Sequence, residues 1–185
     1  MKNIQTETRP IKELFSANKT DFLIPEYQRA YSWTEDECQR LWSDFCDFAF
    51  PDGDNAAFND DKDEYFLGVI ITFRNEHEQD EVIDGQQRLM TLLLLMRAFY
   101  LALGGDDGTY SKTIEHLGEC IWKTDELGEL NKSSLKINSE IIRADVEAEL
   151  KKILSTGVVN KAEKSRYVAN YRFFQEAIQD LKKEL

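Results

Sequence analysis

Val82-Ile83-Asp84-Gly85-Gln86-Gln87-Arg88-Leu89-Met90-Thr91 runs straight into the apolar stretch Leu92 to Met96. Two β-branched residues enter a short polar turn, and the turn opens into a helical pattern. That pattern continues to about Leu103, where Gly104-Gly105 ends it. The helix is apolar over most of its circumference, which predicts a buried position at the centre of the fold. Asp84 suits an N-cap, with Gln87 three residues later reaching back to close a capping box. Gly85 and Gln86 then present backbone N–H groups that nothing inside the helix accepts, making the turn a ready anion site. Arg88 adds planar, forked donors matched to phosphate. A plain cap, worth about 1 kcal/mol, accounts for Asp84 and Gln87 alone. A phosphate-binding turn also accounts for Gln86 and Arg88.

Upstream, Tyr65-Phe66-Leu67-Gly68-Val69-Ile70-Ile71-Thr72-Phe73 reads as the strongest strand, and its nearly continuous apolar character predicts burial on both faces. Gly68 within it marks a bulge or the close approach of another segment or a ligand. Glu81-Val82-Ile83 returns as an antiparallel partner, so two strands deliver the chain to the Asp84 turn at the edge of a cleft. Nearer the N-terminus, Pro10 opens a short helix carrying Ile11, Leu14 and Phe15. Phe22-Leu23-Ile24 is a brief strand ended by Pro25.

Ile24-Pro25-Glu26-Tyr27-Gln28-Arg29-Ala30-Tyr31-Ser32-Trp33 has no clean period. Its aromatic rings suit stacking on bases or packing in the core, and Gln28 and Arg29 offer donors to a base edge or phosphate. The Gln28-Arg29 pair echoes Gln87-Arg88, and both pairs are expected to line one cleft. Thr34 and Glu37 form a capping box, followed by Cys38, Leu41, Trp42, Phe45 and Ala49 at helical spacing over residues 35–50. Beyond residue 104 the pattern is mostly helical. Ile114, Leu117, Ile121 and Trp122 mark one helix, and Leu135-Lys136-Ile137 a short strand. Another helix ends near Gly157, and Tyr167 to Leu185 follows a near-heptad spacing that implies a longer natural chain or packing on a missing domain.

A chain of 185 residues that is 42% hydrophobic is globular and large enough for a real core. Its net charge of −12 opposes polyanion binding by the surface as a whole, so any DNA contact must use a local patch, a neighbouring domain or a bound cation. Cys38 and Cys46, eight residues apart on one helix, rise about 12 Å from each other and cannot form a disulfide. Cys120 stands alone, and His77 and His116 make no zinc pattern. Pro51 to Glu64 carries six acidic residues but lacks the glycine of a calcium loop. With no apolar signal region and no spanning run, the expectation is a cytoplasmic protein without membrane contact.

Three motifs in order resemble the N-terminal domain of GmrSD-type, modification-dependent (type IV) restriction enzymes. They are Ile24-Pro25-x-Tyr27-Gln28-Arg29-x-Tyr31-x-Trp33, then Phe66-Leu67-Gly68-Val69-Ile70, then Val82 to Leu92. The likeness is strongest over residues 10–103, with a weaker echo at Asn170-Tyr171-Arg172-Phe173-Phe174; Met90 stands where the family commonly has Thr. It implies an α+β fold like that of ParB and sulfiredoxin: a small mixed sheet packed by helices in residues 1–103, and a mostly helical extension over 104–185. It further implies NTP binding and hydrolysis coupled to restriction of modified foreign DNA. An HNH-type nuclease domain, downstream or on a partner, does the cutting; this chain lacks that cluster and is not expected to cut DNA alone.

On this reading Gly85, Gln86 and Arg88 hold the phosphates, and Gln86 or Gln87 orients the attacking water, as a glutamine does in GTPases. Asp84, about 4 Å from a phosphate, is repelled by roughly 1–4 kcal/mol unless Mg²⁺ bridges them; otherwise it faces away as a cap. Tyr27, Gln28 and Arg29 form the second wall, against nucleotide or modified DNA. The alternatives are a module that binds nucleotide or DNA without turnover, and a structural or protein-interaction domain, including a homo-oligomer.

Overall fold

The central helix, α3 (Gln86–Ala102), forms where the sequence predicts it and is buried along nearly its whole length. Leu89, Met90, Leu93 and Leu94 are completely enclosed, so no face is left for solvent. A computed structural model describes residues 7–16, 21–51, 64–107, 111–140, 144–160, 162 and 164–184. The acidic stretch between Pro51 and Glu64 lies outside the described residues, its two ends excepted.

Among the described residues six helices accompany a four-stranded mixed sheet, the α+β class expected from sequence. The sheet order is β2 (Ile71–Arg74), β3 (Asp80–Asp84), β1 (Phe22–Ile24), β6 (Ile137–Ser139). β2 and β3 make an antiparallel hairpin, and β1 runs parallel to both β3 and β6. A separate antiparallel pair joins β4 (Trp122–Thr124) to β5 (Leu130–Leu135). The remaining helices are α1 (Ile11–Ser16), α2 (Glu35–Ala49), α4 (Lys112–Ile121), α5 (Ala144–Thr156) and α6 (Arg166–Glu184). None is long and apolar enough to cross a membrane.

α2 starts on the predicted capping box: the Thr34 amide donates to Glu37 Oε2 at 2.6 Å. α4 ends one residue before Trp122, which begins β4 with its indole fully buried. The predicted strand around Lys136 is two strands, with Lys136 between them and its ammonium donating to the Phe15 carbonyl at 2.8 Å. The core runs across residue 103. Tyr167, Tyr171, Phe174 and Ile178 of α6 are buried in the same cluster as Leu93 and Leu94, and α6 packs on α3. The near-heptad stripe of α6 therefore finds its cover within this chain.

One expectation fails. The apolar stretch 65–73 is not a strand buried on both faces: only Ile71–Arg74 pairs in the sheet, and all four residues are exposed. Phe66 is 74% and Val69 59% exposed. β2 is an edge strand, paired on one side only, and residues 64–70 lead into it without joining the ladder. An apolar run read locally reports burial only when something packs on each face, and here nothing among the described residues covers the outer one.

Candidate functional site

The chain passes from β3 to α3 through a single residue. Gly85 has φ +92° and serves as the N-cap, and no side chain caps the helix. This corrects the expected capping box. Asp84 is the last residue of β3, paired with Ile71, and the left-handed turn at Gly85 carries it off the helix axis. Gln87 does not reach back either, because its amide is engaged elsewhere. The opening N–H groups of α3 thus lack the side-chain acceptor that a purely structural cap would supply.

Across this turn lies the irregular segment 64–70, held at one end by Tyr65. Its hydroxyl donates to Asp44 Oδ2 at 2.9 Å, and its ring packs edge-on to Phe45. Two glycines let the segment pass close to the helix start. A Cβ on Gly85 would stand 3.1 Å from the Val69 carbonyl oxygen, and one on Gly68, at φ +96°, only 2.9 Å from Arg88 Cζ. The close approach read from Gly68 is therefore the Arg88 guanidinium, whose Nη1 donates to the Val69 carbonyl at 3.1 Å. That bond fixes the fork and leaves further N–H donors for a ligand.

The second wall is segment 26–33. β1 ends at Ile24, and Pro25, next in register against Ile83, has no N–H to continue the ladder. The Gln28 side chain takes over: its Nε2 donates to the carbonyls of Ile83 (2.9 Å) and Val82 (3.3 Å). Arg29 is then exposed, and no described carboxylate forms an ion pair with it. Together Gln28, Arg29, Trp33, Asp84, Gly85, Gln86, Gln87 and Arg88 line a cleft of about 450 Å³. The two Gln-Arg pairs, 59 positions apart, do share one cleft. Tyr27 stands outside that lining, 65% exposed, with its hydroxyl donating to Glu81 at 2.9 Å.

Behind the cleft a chain of buried and part-buried hydrogen bonds locks this wall to α3 and α6. Gln87 Oε1 accepts from the Ser32 amide at 2.7 Å and from its hydroxyl at 3.2 Å, while Nε2 donates to the Ala30 carbonyl at 3.2 Å. Asn170 Nδ2 donates to both the Tyr31 hydroxyl (2.8 Å) and the Trp33 carbonyl (3.0 Å). Donors then run in one direction: Tyr31 to Thr91 Oγ1 at 2.7 Å, and Thr91 to the Gln87 carbonyl at 2.8 Å. Tyr31 stacks on Tyr167 with ring centroids 4.5 Å apart, and Arg166 donates to the Ser32 carbonyl. Burial pushes the Tyr31 phenol far above its ordinary range, so it stays protonated as the donor this chain requires. Burial likewise raises the adjacent Cys38 thiol to about 12. Met90 sits fully buried beside this network, its sulfur accepting from Tyr167 at 3.2 Å and removed from the turn at Gly85.

Gln86 differs from Gln87. It is only 5% exposed and lines the cleft, yet no described group bonds to its amide. Asp84 is the one carboxylate lining the cleft, and no described residues group three or more metal-ligating side chains. One carboxylate is compatible with Mg²⁺, which commonly takes one or two protein carboxylates and completes its shell with substrate phosphates and water. The role of Asn170 escapes sequence reading, although a signal exists: it is a polar residue among Tyr167, Tyr171 and Phe174 on the buried stripe of α6.

The family model described as the N-terminal domain of GmrSD restriction endonuclease matches residues 11–184. No curated protein matches the chain.

Proposed function

Because this chain belongs to the family of N-terminal domains of GmrSD restriction endonucleases, we propose that it binds and hydrolyses a nucleoside triphosphate in the 450 Å³ cleft, as the regulatory part of a modification-dependent restriction protein. The observation that carries this reading is the meeting of both Gln-Arg pairs at an uncapped helix start. The N–H groups of that turn and the Arg88 fork bind the phosphates. Arg29, across the cleft, adds a second charge, and Gln28 shapes the wall around it. Tyr27, beyond the lining, is available to a larger guest such as a modified DNA site. Asp84 would hold Mg²⁺, which supplies charge neutralisation between that carboxylate and the phosphates.

Gln86 orients the water, since both ends of the Gln87 amide are already occupied. The water oxygen attacks the terminal phosphorus, and the bond to the bridging oxygen breaks. Nucleoside diphosphate and phosphate leave, and the released proton passes to solvent. Cutting of DNA is assigned to an HNH-type nuclease domain elsewhere in the restriction protein. A small mixed sheet with a helix start at a strand end is consistent with the ParB and sulfiredoxin likeness.

The test is a thermal-shift titration with GTP and ATP in Mg²⁺, followed by phosphate release from the full-length protein. A ligand at 100 times its Kd stabilises by about 2.7 kcal/mol, and Arg88→Ala is expected to abolish that gain. No shift with any nucleotide would refute the reading. A shift without phosphate release would reduce it to nucleotide binding.

A further inference from the structure

Segment 26–33 carries three aromatic rings, and the fold gives each a different place. Tyr31 is buried, stacked on Tyr167 and bonded to Thr91. Tyr27 is exposed and tied to Glu81, outside the cleft lining. Trp33 is half-buried: it packs against the core cluster and also lines the 450 Å³ cleft, where every other lining residue is Gln, Arg, Asp or Gly.

The backbone on both sides of Trp33 is pinned. The Ser32 amide donates to Gln87 Oε1 at 2.7 Å, and the Ser32 carbonyl accepts from Arg166. The Trp33 carbonyl accepts from Asn170 Nδ2 at 3.0 Å, and Thr34 opens α2 in its capping box. Three consecutive residues are thus fixed by α3, α6 and the start of α2. A ring carried on such a backbone has little freedom left to lose when a flat ligand settles on it, so it is preorganised for binding.

The cleft is larger than its phosphate-binding turn requires. Its volume falls within the roughly 300–1,000 Å³ of pockets that enclose a whole drug-sized ligand. Ser32 touches Gln87, so Trp33 stands one residue beyond the point where the wall meets α3, in the same cleft as Gly85 and Arg88. The lining carboxamides that could read a base edge are mostly committed. Both ends of the Gln87 amide are engaged by Ser32 and Ala30, and the Gln28 nitrogen donates to the carbonyls of Val82 and Ile83. Bidentate reading of adenine needs a carboxamide with both ends available. Among the lining residues that leaves Gln86, which stands on the phosphate-binding turn itself.

We infer that Trp33 is the platform on which the nucleobase stacks, so that the cleft selects its nucleoside triphosphate by the face of the base rather than by its edge. A π-face is common to all bases, and it is larger in a purine. The cleft therefore accepts purine and pyrimidine nucleoside triphosphates alike, and purines the more tightly. This rests on the nucleotide reading of the cleft, and inorganic tripolyphosphate, which has no base, separates the two in the test.

Calorimetric titration of the full-length protein in Mg²⁺ compares GTP, UTP and tripolyphosphate on the parent, Trp33→Phe and Trp33→Ala. Trp33→Ala is expected to weaken GTP about 5- to 150-fold, the range that base–aromatic stacking spans. It should weaken UTP less and leave tripolyphosphate unchanged, while Trp33→Phe keeps most of the affinity for GTP. A second measurement needs no variant: the Trp33 indole N–H resonance of the parent is expected to move with GTP and to stay in place with tripolyphosphate. Equal weakening of GTP and tripolyphosphate by Trp33→Ala, or weakening of neither, would overturn the platform and leave phosphate binding in the cleft intact. An indole resonance that responds alike to both ligands would overturn it whatever the variants do. Failure of the parent to bind GTP, UTP or tripolyphosphate would remove the nucleotide reading, and this inference with it.

Discussion

Replacing Gln87 by Ala separates scaffold from chemistry at the helix start. The side chain makes three hydrogen bonds to segment 30–32: two at Oε1, from the amide and hydroxyl of Ser32, and one from Nε2 to Ala30. At about 1 kcal/mol each, with a discount because all three are only part-buried, the loss is about 2–3 kcal/mol. For a chain of this size that lowers Tm by roughly 5–10 °C. The assay is paired: chemical denaturation for stability, and nucleotide-induced thermal shift for binding. Gln86→Ala removes no hydrogen bond to a described group, so it should melt within about 2 °C of the parent while losing phosphate release. If Gln87→Ala melted like the parent but lost phosphate release, and Gln86→Ala did the reverse, the assignment of strut and water-orienting residue would be refuted.

Gly68→Ala places a methyl group 2.9 Å from the Arg88 guanidinium at a backbone φ of +96°. It is expected to cost about 1–3 kcal/mol in stability and to reduce the nucleotide shift, which Arg88→Ala should abolish with less loss of stability. Tyr31→Phe breaks the line of donors between Asn170 and Thr91. About 1–3 kcal/mol is expected in chemical denaturation, with the loosened wall at Arg29 seen as faster hydrogen exchange over residues 28–33. Burial raises the Asp106 carboxyl, but hydrogen bonds from Arg97 and Lys132 outweigh it and hold the group below the usual carboxylate range. A depressed folded-state pKa gives stability that is present above the unfolded value and lost as pH falls through the folded one. The stability difference between the parent and Asp106→Asn should therefore shrink as pH drops below about 4, followed by urea unfolding at stepped pH.

Sequence by itself determined the elements whose causes are local. α3 was legible because a run of apolar residues covering every helical face can only be a central helix. α2 was legible because Thr34 and Glu37 are three residues apart and satisfy each other. β1, the β2–β3 hairpin and the polar turn at Gly85 followed from short apolar runs bounded by proline, glycine and polar residues, and the turn was recognisable in the sequence as a candidate site.

Only the tertiary structure decided which polar side chain does what. Gln86 and Gln87 are adjacent and chemically identical. One is engaged by Ser32 and Ala30, 55 and 57 positions away, and the other faces the cleft. The expected cap at Asp84 failed because a single left-handed residue moved the helix start past it. Phe66, Val69, Ile71 and Phe73 of the apolar stretch went uncovered, β2 lying at a sheet edge with one neighbour rather than two. Asn170 acquired its place only when α6 came against α3 and met Tyr31, 139 positions away. Periodicity records which local face is buried. The partner of a polar group is set by long-range packing, and no local pattern encodes it.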